Sequence, residues 1–259
     1  MIDFSACLEM MFLEHDRPFD ERVRAAADSG FRAVEIWDWR DKDLHRLERA
    51  LDETGTRLIT LCVESWRDKC DLGDASSHDE FLARVRATAD VARRLNTQKL
   101  VVLAGDVVAG IEPTSQLREA ARVLTRAGEE VGEDGLEVVI EVVNREFEGP
   151  NALISSTRSA LALVRAIGLP NVHLLYDRYH AILNAEPLGA EIEDAMALVG
   201  HVQAADVPGR HEFGTGTIDW ASELAWLQNA GYGGYVGIEG IPLGDSSRVY
   251  AAARALLAR

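Results

Sequence analysis

The sequence has little cysteine and no long hydrophobic run. Its three cysteines, Cys7, Cys62 and Cys70, are irregularly spaced, which indicates neither a disulfide framework nor a zinc ribbon. A membrane-spanning helix needs about 18 apolar residues in a row, and no apolar run approaches this length. Residues 1–16 carry Asp3 and Glu9 and have no basic region, so we expect no signal peptide. These absences predict a cytoplasmic protein with reduced thiols and without a membrane partner.

Positive charge is also scarce. The chain has 27 lysines and arginines against 43 aspartates and glutamates, for a formal net charge of −16. We therefore expect no nucleic-acid partner, because phosphate binding needs a basic surface that releases counterions. A small anionic substrate held by local basic groups or by a metal stays compatible with this charge. The 259 residues, 47% of them hydrophobic, suffice for one large domain with a sizeable core or for two small ones.

What the sequence does contain is a regular alternation of strand-length and helix-length segments. Short apolar, β-branched runs are typical of strands buried on both faces, and they occur at 3–8, 31–36, 57–63, 99–104, 136–142, 172–177, 200–205 and 234–239. Amphipathic segments of helical length lie at 18–29, 41–54, 78–95, 115–132, 156–168, 187–197, 219–230 and 246–258. Helix start signals are predicted at Ser77, Thr114, Ser155 and Asp219, and stop signals at Gly30, Gly55 and Gly168.

Eight strand–helix repeats in a chain of this length predict an α/β fold, a single (β/α)8 TIM barrel. The rival is an open doubly wound sheet, which usually has a glycine-rich turn after its first strand. The segment "ACLEMMF" at that place has none. No linker or low-complexity tract divides the chain, so we expect one domain over residues 1–259.

Oxygen-bearing side chains stand near the ends of four consecutive predicted strands. They are Glu141, Asp177, Gln203 and Glu239, separated by 36, 26 and 36 residues. In a barrel the carboxyl ends of the strands form one rim, where catalytic groups lie. Three clustered carboxylates repel one another without a cation or a shared proton, and oxygen ligands suit Mg²⁺ or Mn²⁺. Each residue alone is compatible with a solvated rim charge, but four at matching positions predict a metal site.

Two loops carry candidate substrate contacts. His180 follows Asp177 by three residues in "YDRYH" and could hydrogen-bond a substrate oxygen or orient a ligand. Arg210 and His211 lie on the seventh loop, "PGRHEFGTGTIDW", where they could clamp substrate oxygens. Ordinary solvated loop residues are the alternative in both places.

Aromatic and apolar residues follow the first two strands. Glu35 and Trp37 in "EIWDWR" are candidates for a pocket wall, although aromatics there also serve to close a barrel end. Phe12 in "CLEMMF" offers an apolar lining, with core filling as the alternative. We predict Glu35, Trp37 and Phe12 as substrate-binding residues.

The chain resembles the hydroxypyruvate isomerase family, within the xylose-isomerase-like and sugar-phosphate isomerase/epimerase barrels. The matching stretches are "MMF", "LAGDVVAG", "VVIEVVN", "YDRYHA", "HVQAADVPGRHEFGTGTIDW" and "GYGGYVGIEGIP", which span nearly the whole chain. The resemblance implies a divalent-metal site of Glu141, Asp177, Gln203 and Glu239, with Glu141 and Glu239 also the acid/base pair and His180 near the substrate. It also implies isomerisation between hydroxypyruvate and tartronate semialdehyde, or between related oxo sugar acids, through an enediolate.

One departure from the family pattern leaves the substrate open. Family members often carry a basic residue just after the final glutamate, where this chain has Gly240 and Ile241. A ketose 3-epimerase on the same site, acting on a neutral ketose, is therefore one alternative. A non-catalytic barrel that binds a sugar acid is another.

Two further questions concern partners. The abasic-site nucleases that share this barrel gather zinc with many histidines, and Gln203 stands where a histidine would be wanted, so we disfavour that class. Barrels of this kind often pair, so a homo-oligomer is compatible with the sequence, although no stretch marks an interface.

Overall fold

The computed structural model describes residues 1–189 and 192–258. The β-strands are β1 (Asp3–Cys7), β2 (Ala33–Glu35), β3 (Arg57–Leu58), β4 (Thr60–Cys62), β5 (Lys99–Leu103), β6 (Glu137–Glu141), β7 (Val172–Asp177), β8 (Val199–Ala204) and β9 (Tyr235–Ile238). The α-helices are α1 (Phe19–Asp28), α2 (Leu44–Thr54), α3 (His78–Arg94), α4 (Pro113–Gly132), α5 (Thr157–Ile167), α6 (Arg178–Leu183), α7 (Trp220–Asn229) and α8 (Val249–Leu256). Every predicted strand is present, the third as the two short strands β3 and β4. No helix within the described ranges is long and apolar enough to cross a membrane.

The chain divides into two compact units, of which unit 1 comprises Met1–Thr60 and Val202–Arg259. Its strands are parallel, and β1 lies between β2 and β9. Phe4, Ala6 and Ile238 on these strands are fully buried. In the register of β8 with β9, Gln203 lies opposite Gly237. This pairing fixes the place of Gln203 at the carboxyl end of its strand.

Unit 2 comprises Leu61–His201, and β6 is its central strand, parallel to both β5 and β7. One face of these strands packs Val101, Val139 and Leu175 into a buried cluster. Neighbouring residues on the opposite face, such as Ile140 and Leu174, are also fully buried. Burial on both faces explains why these runs are continuously apolar rather than alternating.

The helix ends follow the predicted signals in part. Asp219 caps α7 by accepting from the backbone N–H of Ser222, and Gly55 and Gly168 adopt the left-handed conformation after α2 and α5. The prediction at Thr114 is wrong, because α4 begins at Pro113 and is capped by Glu112. Proline suits the first position of a helix, where its missing N–H costs nothing.

Two other predicted caps also shift. Ser156, one residue after Ser155, is the cap of α5. Ser77 precedes α3 without a side-chain capping bond, and its hydroxyl donates instead to the carbonyls of Asp71 and Asp74.

The segment between β7 and β8 differs most from the prediction. We expected a helix over 187–197, but α6 starts directly after β7, and a short 3₁₀-helix spans Glu193–Leu198. Residues 190 and 191 of the predicted segment lie outside the described residues. The cause is Asp177, whose side chain accepts from the backbone N–H groups of Tyr179 and His180 and so starts a helix at once.

Candidate active site

A cluster of three titratable side chains lies at the carboxyl ends of β6 and β7 in unit 2. Glu141 is the last residue of β6, Asp177 is the last residue of β7, and His180 lies in the first turn of α6. Each offers one ligand atom, and these atoms lie within 4.8 Å of one another. The Nε2 atom of His180 is 3.6 Å from Oε1 of Glu141 and 3.4 Å from Oδ2 of Asp177. The structure thus brings together three of the residues singled out in the sequence.

The direct passage from β7 into α6 positions Asp177. Its Oδ1 atom accepts from the backbone N–H groups of Tyr179 at 2.7 Å and His180 at 3.4 Å. The helix N-terminus therefore holds one carboxylate oxygen, and the other, Oδ2, lies on the side of the His180 ring. Asp177 is 3% exposed, so its orientation is set by the fold rather than by solvent.

The imidazole of His180 has neighbours at both ring nitrogens. The backbone N–H of Asn144 donates to Nδ1 at 3.1 Å, and Oε2 of Glu148 lies 3.1 Å from the same atom. The Nε2 atom faces Glu141 and Asp177. The Asn144 side chain also donates to Glu148 at 2.6 Å, which fixes the loop after β6.

Glu239 directly follows β9 in unit 1, and both of its carboxylate oxygens accept hydrogen bonds. Oε1 accepts from the indole Nε1 of Trp37 at 2.5 Å, and Oε2 accepts from Nη2 of Arg210 at 2.9 Å. Arg210 also donates from Nε to the Glu239 carbonyl at 3.1 Å. Burial, followed by the nearby Glu239 charge, raises the pKa of the Cys7 thiol well above its usual value. Cys7 is therefore a neutral neighbour of Glu239.

A buried carboxylate organises the loop that carries Arg210. Asp206 is fully buried; its Oδ1 accepts from the backbone N–H groups of Val207 and Ile218, and its Oδ2 accepts from that of Gly214. Arg210 itself has a positive φ of 57°, a conformation that a non-glycine residue keeps only when its surroundings hold it. Asp206 was not among the predicted residues, although an aspartate after the apolar end of a strand and before a Pro-Gly turn is a usable signal.

Gln203 and Glu35 form a second buried pair in unit 1. The Nε2 atom of Gln203 donates to Oε2 of Glu35 at 2.8 Å. Oε1 of Glu35 accepts from the Ser5 hydroxyl at 2.5 Å. The Oε1 atom of Gln203 is buried and has no hydrogen-bond partner among the described residues.

Other predicted substrate-binding residues lie in different surroundings. Phe12 is 1% exposed and packs edge-on against Phe31, with ring centroids 6.2 Å apart. His211 is partly exposed, and its Nδ1 atom is 2.7 Å from the carbonyl oxygen of Ile241. Trp37 is 38% exposed. The substrate roles of these residues stay predictions.

One more acidic group near a strand end serves the framework of unit 2. Glu64, after β4, accepts from the backbone N–H of Cys70 at 2.8 Å and pairs with Arg84 at 3.2 Å. Burial raises the pKa of Glu64 despite these partners. Burial and the Glu64 carboxylate raise the pKa of Cys70 to about 12, so this thiol is not a nucleophile at neutral pH.

The donor set fits a hard divalent cation. Two carboxylates and an imidazole converge within 4.8 Å in unit 2, and carboxylate oxygens are the ligands that Mg²⁺ and Mn²⁺ prefer. Because Nδ1 of His180 is engaged by Asn144 and Glu148, we take the two carboxylates as the ligand groups and the ring as their hydrogen-bonding neighbour.

The chain matches a known protein family and a solved structure over nearly its whole length. The model of the xylose isomerase-like TIM barrel family matches residues 23–258. A crystal structure of an AP endonuclease, family 2, from Brucella melitensis is similar over 98% of this chain and 99% of that chain, with 27% identity and a TM-score of 0.90. The predicted (β/α)8 fold is confirmed.

Curated relatives narrow the class. A putative hydroxypyruvate isomerase of Streptomyces coelicolor is 35% identical, covering 94% of this chain and 92% of its own. The hydroxypyruvate isomerase of Escherichia coli is 31% identical, over 92% of this chain and 93% of its own. A 2-oxo-tetronate isomerase of Pectobacterium atrosepticum is 29% identical, over 95% of this chain and 94% of its own.

The chain belongs to the hydroxypyruvate isomerase family, within the xylose isomerase-like TIM barrels. The predicted family is thereby confirmed, and so is the prediction that the protein is an isomerase. The single domain, the cytoplasmic location, the homo-oligomer and the absence of nucleic-acid and membrane partners stay predictions.

Proposed function

We propose that the protein is a divalent-metal-dependent isomerase of a small hydroxy-carbonyl acid, hydroxypyruvate or a related oxo sugar acid. The names of its relatives supply this substrate class. The observation that carries the proposal is the cluster of Glu141, Asp177 and His180, whose ligand atoms lie within 4.8 Å of one another. Burying Asp177 and His180 beside the half-buried Glu141 costs stability, and clusters of this kind are characteristic of functional sites.

Four side chains would hold the cation, Mg²⁺ or Mn²⁺: Glu141, Asp177, Gln203 and Glu239. The first two belong to the cluster in unit 2, Gln203 has a buried oxygen without a hydrogen-bond partner among the described residues, and Glu239 is held by Trp37 and Arg210. When bound, the cation supplies electrostatic stabilisation for the negative charge that develops on the substrate oxygens.

The protein's own groups then move the protons. Glu141 takes a proton from the carbon that bears the substrate hydroxyl, and the electron pair of that C–H bond forms the double bond of an enediolate. Glu239, protonated at the start of the turnover, delivers its proton to the former carbonyl carbon, and proton exchange with solvent then deprotonates Glu141 and reprotonates Glu239. The hydroxyl proton passes to the other oxygen, and His180, whose Nε2 atom is 3.6 Å from Oε1 of Glu141, is the group placed to hydrogen-bond the substrate oxygens on this side. The carbonyl has moved by one carbon, and no atom is gained or lost.

A ketose 3-epimerase is the second candidate, because the same groups can return the proton to the original carbon on its opposite face. One observation favours keeping it. A Cβ atom at Gly240 would lie 2.7 Å from the carbonyl oxygen of Arg210, so the loop of Arg210 leaves no room there for the basic residue that could hold a substrate carboxylate. The third candidate, a binding protein without turnover, differs in having no activity to lose.

Proton exchange in D₂O, followed by NMR, tests the proposal. Metal-stripped protein is incubated with hydroxypyruvate, oxo sugar acids or ketoses, with and without Mg²⁺ or Mn²⁺, and Mn²⁺ samples are chelated before recording. We expect metal-dependent deuterium uptake beside the carbonyl with an oxo acid, and a loss of roughly 10²–10⁴-fold in Glu141→Gln. The matched control is Glu146→Gln, which makes the same change at an exposed position of the same loop.

Exchange with a ketose and with no acid would favour the epimerase. Metal binding without exchange of any compound would contradict an enzyme of this chemistry and favour the binding protein.

A further inference from the structure

Glu35 is a buried carboxylate without an obvious task in the framework. It ends β2, is 1% exposed, and accepts hydrogen bonds from Ser5 at 2.5 Å and from Gln203 at 2.8 Å. The Thr60 hydroxyl lies 3.5 Å from its Oε2 atom. Burying a carboxylate is unfavourable unless donors surround it, and here donors come from β1, β8 and the start of β4.

This carboxylate decides the orientation of the Gln203 amide. An amide group can present either its oxygen or its nitrogen, since the two ends have nearly the same shape. The Nε2 end of Gln203 faces Glu35 and donates to its carboxylate at 2.8 Å. The Oε1 end then points away from Glu35, where it is buried without a hydrogen-bond partner among the described residues.

The backbone of β9 is shaped to leave Glu35 in this place. A Cβ atom at Gly237 would lie 2.2 Å from Oε1 of Glu35 and 2.8 Å from its carboxyl carbon. Gly237 pairs with Gln203 in the register of β8 with β9. Any larger residue at 237 would displace the carboxylate from the amide that it orients.

We propose that Glu35 is a positioning residue that makes Oε1 of Gln203 a metal ligand by holding the amide nitrogen. This inference rests on the proposed function, in which Gln203 is one of the ligands. It assigns Glu35 a task other than substrate binding. An amide offers one acceptor oxygen and one nitrogen that only donates, so an acceptor bound to the nitrogen leaves the oxygen of Gln203 for the metal.

Mn²⁺ titration of metal-stripped protein by calorimetry tests the proposal without an activity readout. Glu35→Gln replaces the carboxylate with a group that can accept or donate, so the Gln203 amide is no longer held in one orientation. We expect the Kd for Mn²⁺ to rise roughly 10- to 100-fold. The double variant Glu35→Gln with Gln203→Glu exchanges the two groups, keeps the hydrogen bond between them, and should restore the Kd.

Ser5→Ala is the matched control, because it removes a hydrogen bond to Glu35 and leaves Gln203 untouched. It should lower Tm and keep the Kd for Mn²⁺. A Kd that is unchanged in Glu35→Gln, or that the exchange does not restore, would overturn the role of Glu35 and leave the proposed function standing, provided that Glu141→Gln weakens Mn²⁺ binding. No Mn²⁺ binding by the parent protein would overturn both.

Discussion

The indole N–H of Trp37 donates to Oε1 of Glu239 over 2.5 Å, across 202 positions of sequence. An indole nitrogen can only donate, so Trp37 holds Oε1 of Glu239 in place and fixes the side-chain rotamer of this residue. Trp37 was expected to form a pocket wall. Because Trp37 binds a proposed acid/base group directly, we expect it to affect proton transfer and not only the shape of the pocket.

Trp37→Phe should reduce turnover while the protein stays folded. The variant keeps an aromatic ring and loses the N–H, and a hydrogen bond to a charged group contributes about 1.5–3 kcal/mol. We expect kcat for the substrate identified by proton exchange to fall roughly tenfold or more, with Tm nearly unchanged. Trp39→Phe makes the same change two positions away, at a ring that stacks against the guanidinium of Arg40, and should keep kcat. Equal losses in both variants would contradict the assignment.

Asp206→Asn should destabilise unit 1. The substitution turns one acceptor oxygen into an NH₂ group that faces the backbone N–H of Gly214, Val207 or Ile218. Leaving a buried donor unsatisfied costs about 1–3 kcal/mol in the free energy of unfolding, which urea titration measures. Asp219→Asn is the control, because asparagine caps a helix about as well as aspartate. A similar small change in both variants would show that the loop does not depend on Asp206.

Asp20 should make stability depend on pH in the acid range. Burial by itself would raise the pKa of Asp20, but hydrogen bonds and charge from Arg24 and Arg46 outweigh it and hold the pKa below its usual value. A lowered pKa in the folded state contributes stability above the unfolded pKa, about 3.9. That contribution is lost as pH falls through the folded pKa.

Asp20→Asn should therefore lower the free energy of unfolding by about 1 kcal/mol at pH 7. The difference from the parent should shrink progressively below about pH 5. Urea titrations across this range measure both. Asp28→Asn, at an exposed carboxylate of the same helix, is the control. A difference that persisted unchanged into acid would contradict the ionic origin of the contribution.

Local patterns in the sequence predicted the elements reliably wherever they follow burial directly. Continuous apolar runs predicted every strand, since a strand packed on both faces has no polar side. Helix ends were less predictable, as Thr114 and Ser155 illustrate, because neighbouring residues compete for the same backbone N–H groups. Helix α6 was missed because its capping residue, Asp177, also ends a strand.

The candidate site was predictable to the extent that it depends on strand ends. Glu141, Asp177, Gln203 and Glu239 all lie at or next to the carboxyl ends of β6, β7, β8 and β9. Their partners were not predictable, because Asn144, Asp206 and Ser5 act through hydrogen bonds whose geometry no spacing encodes.

By itself, therefore, the sequence determined the order of strands and helices, the family and the residues at the strand ends. Only the tertiary structure decided which groups surround the His180 ring, which end of the Gln203 amide faces Glu35, and which donors hold Glu239. The reason is physical: hydrophobic burial is periodic along the chain, whereas hydrogen bonds are directional and join residues that only folding brings within 3 Å or so of each other.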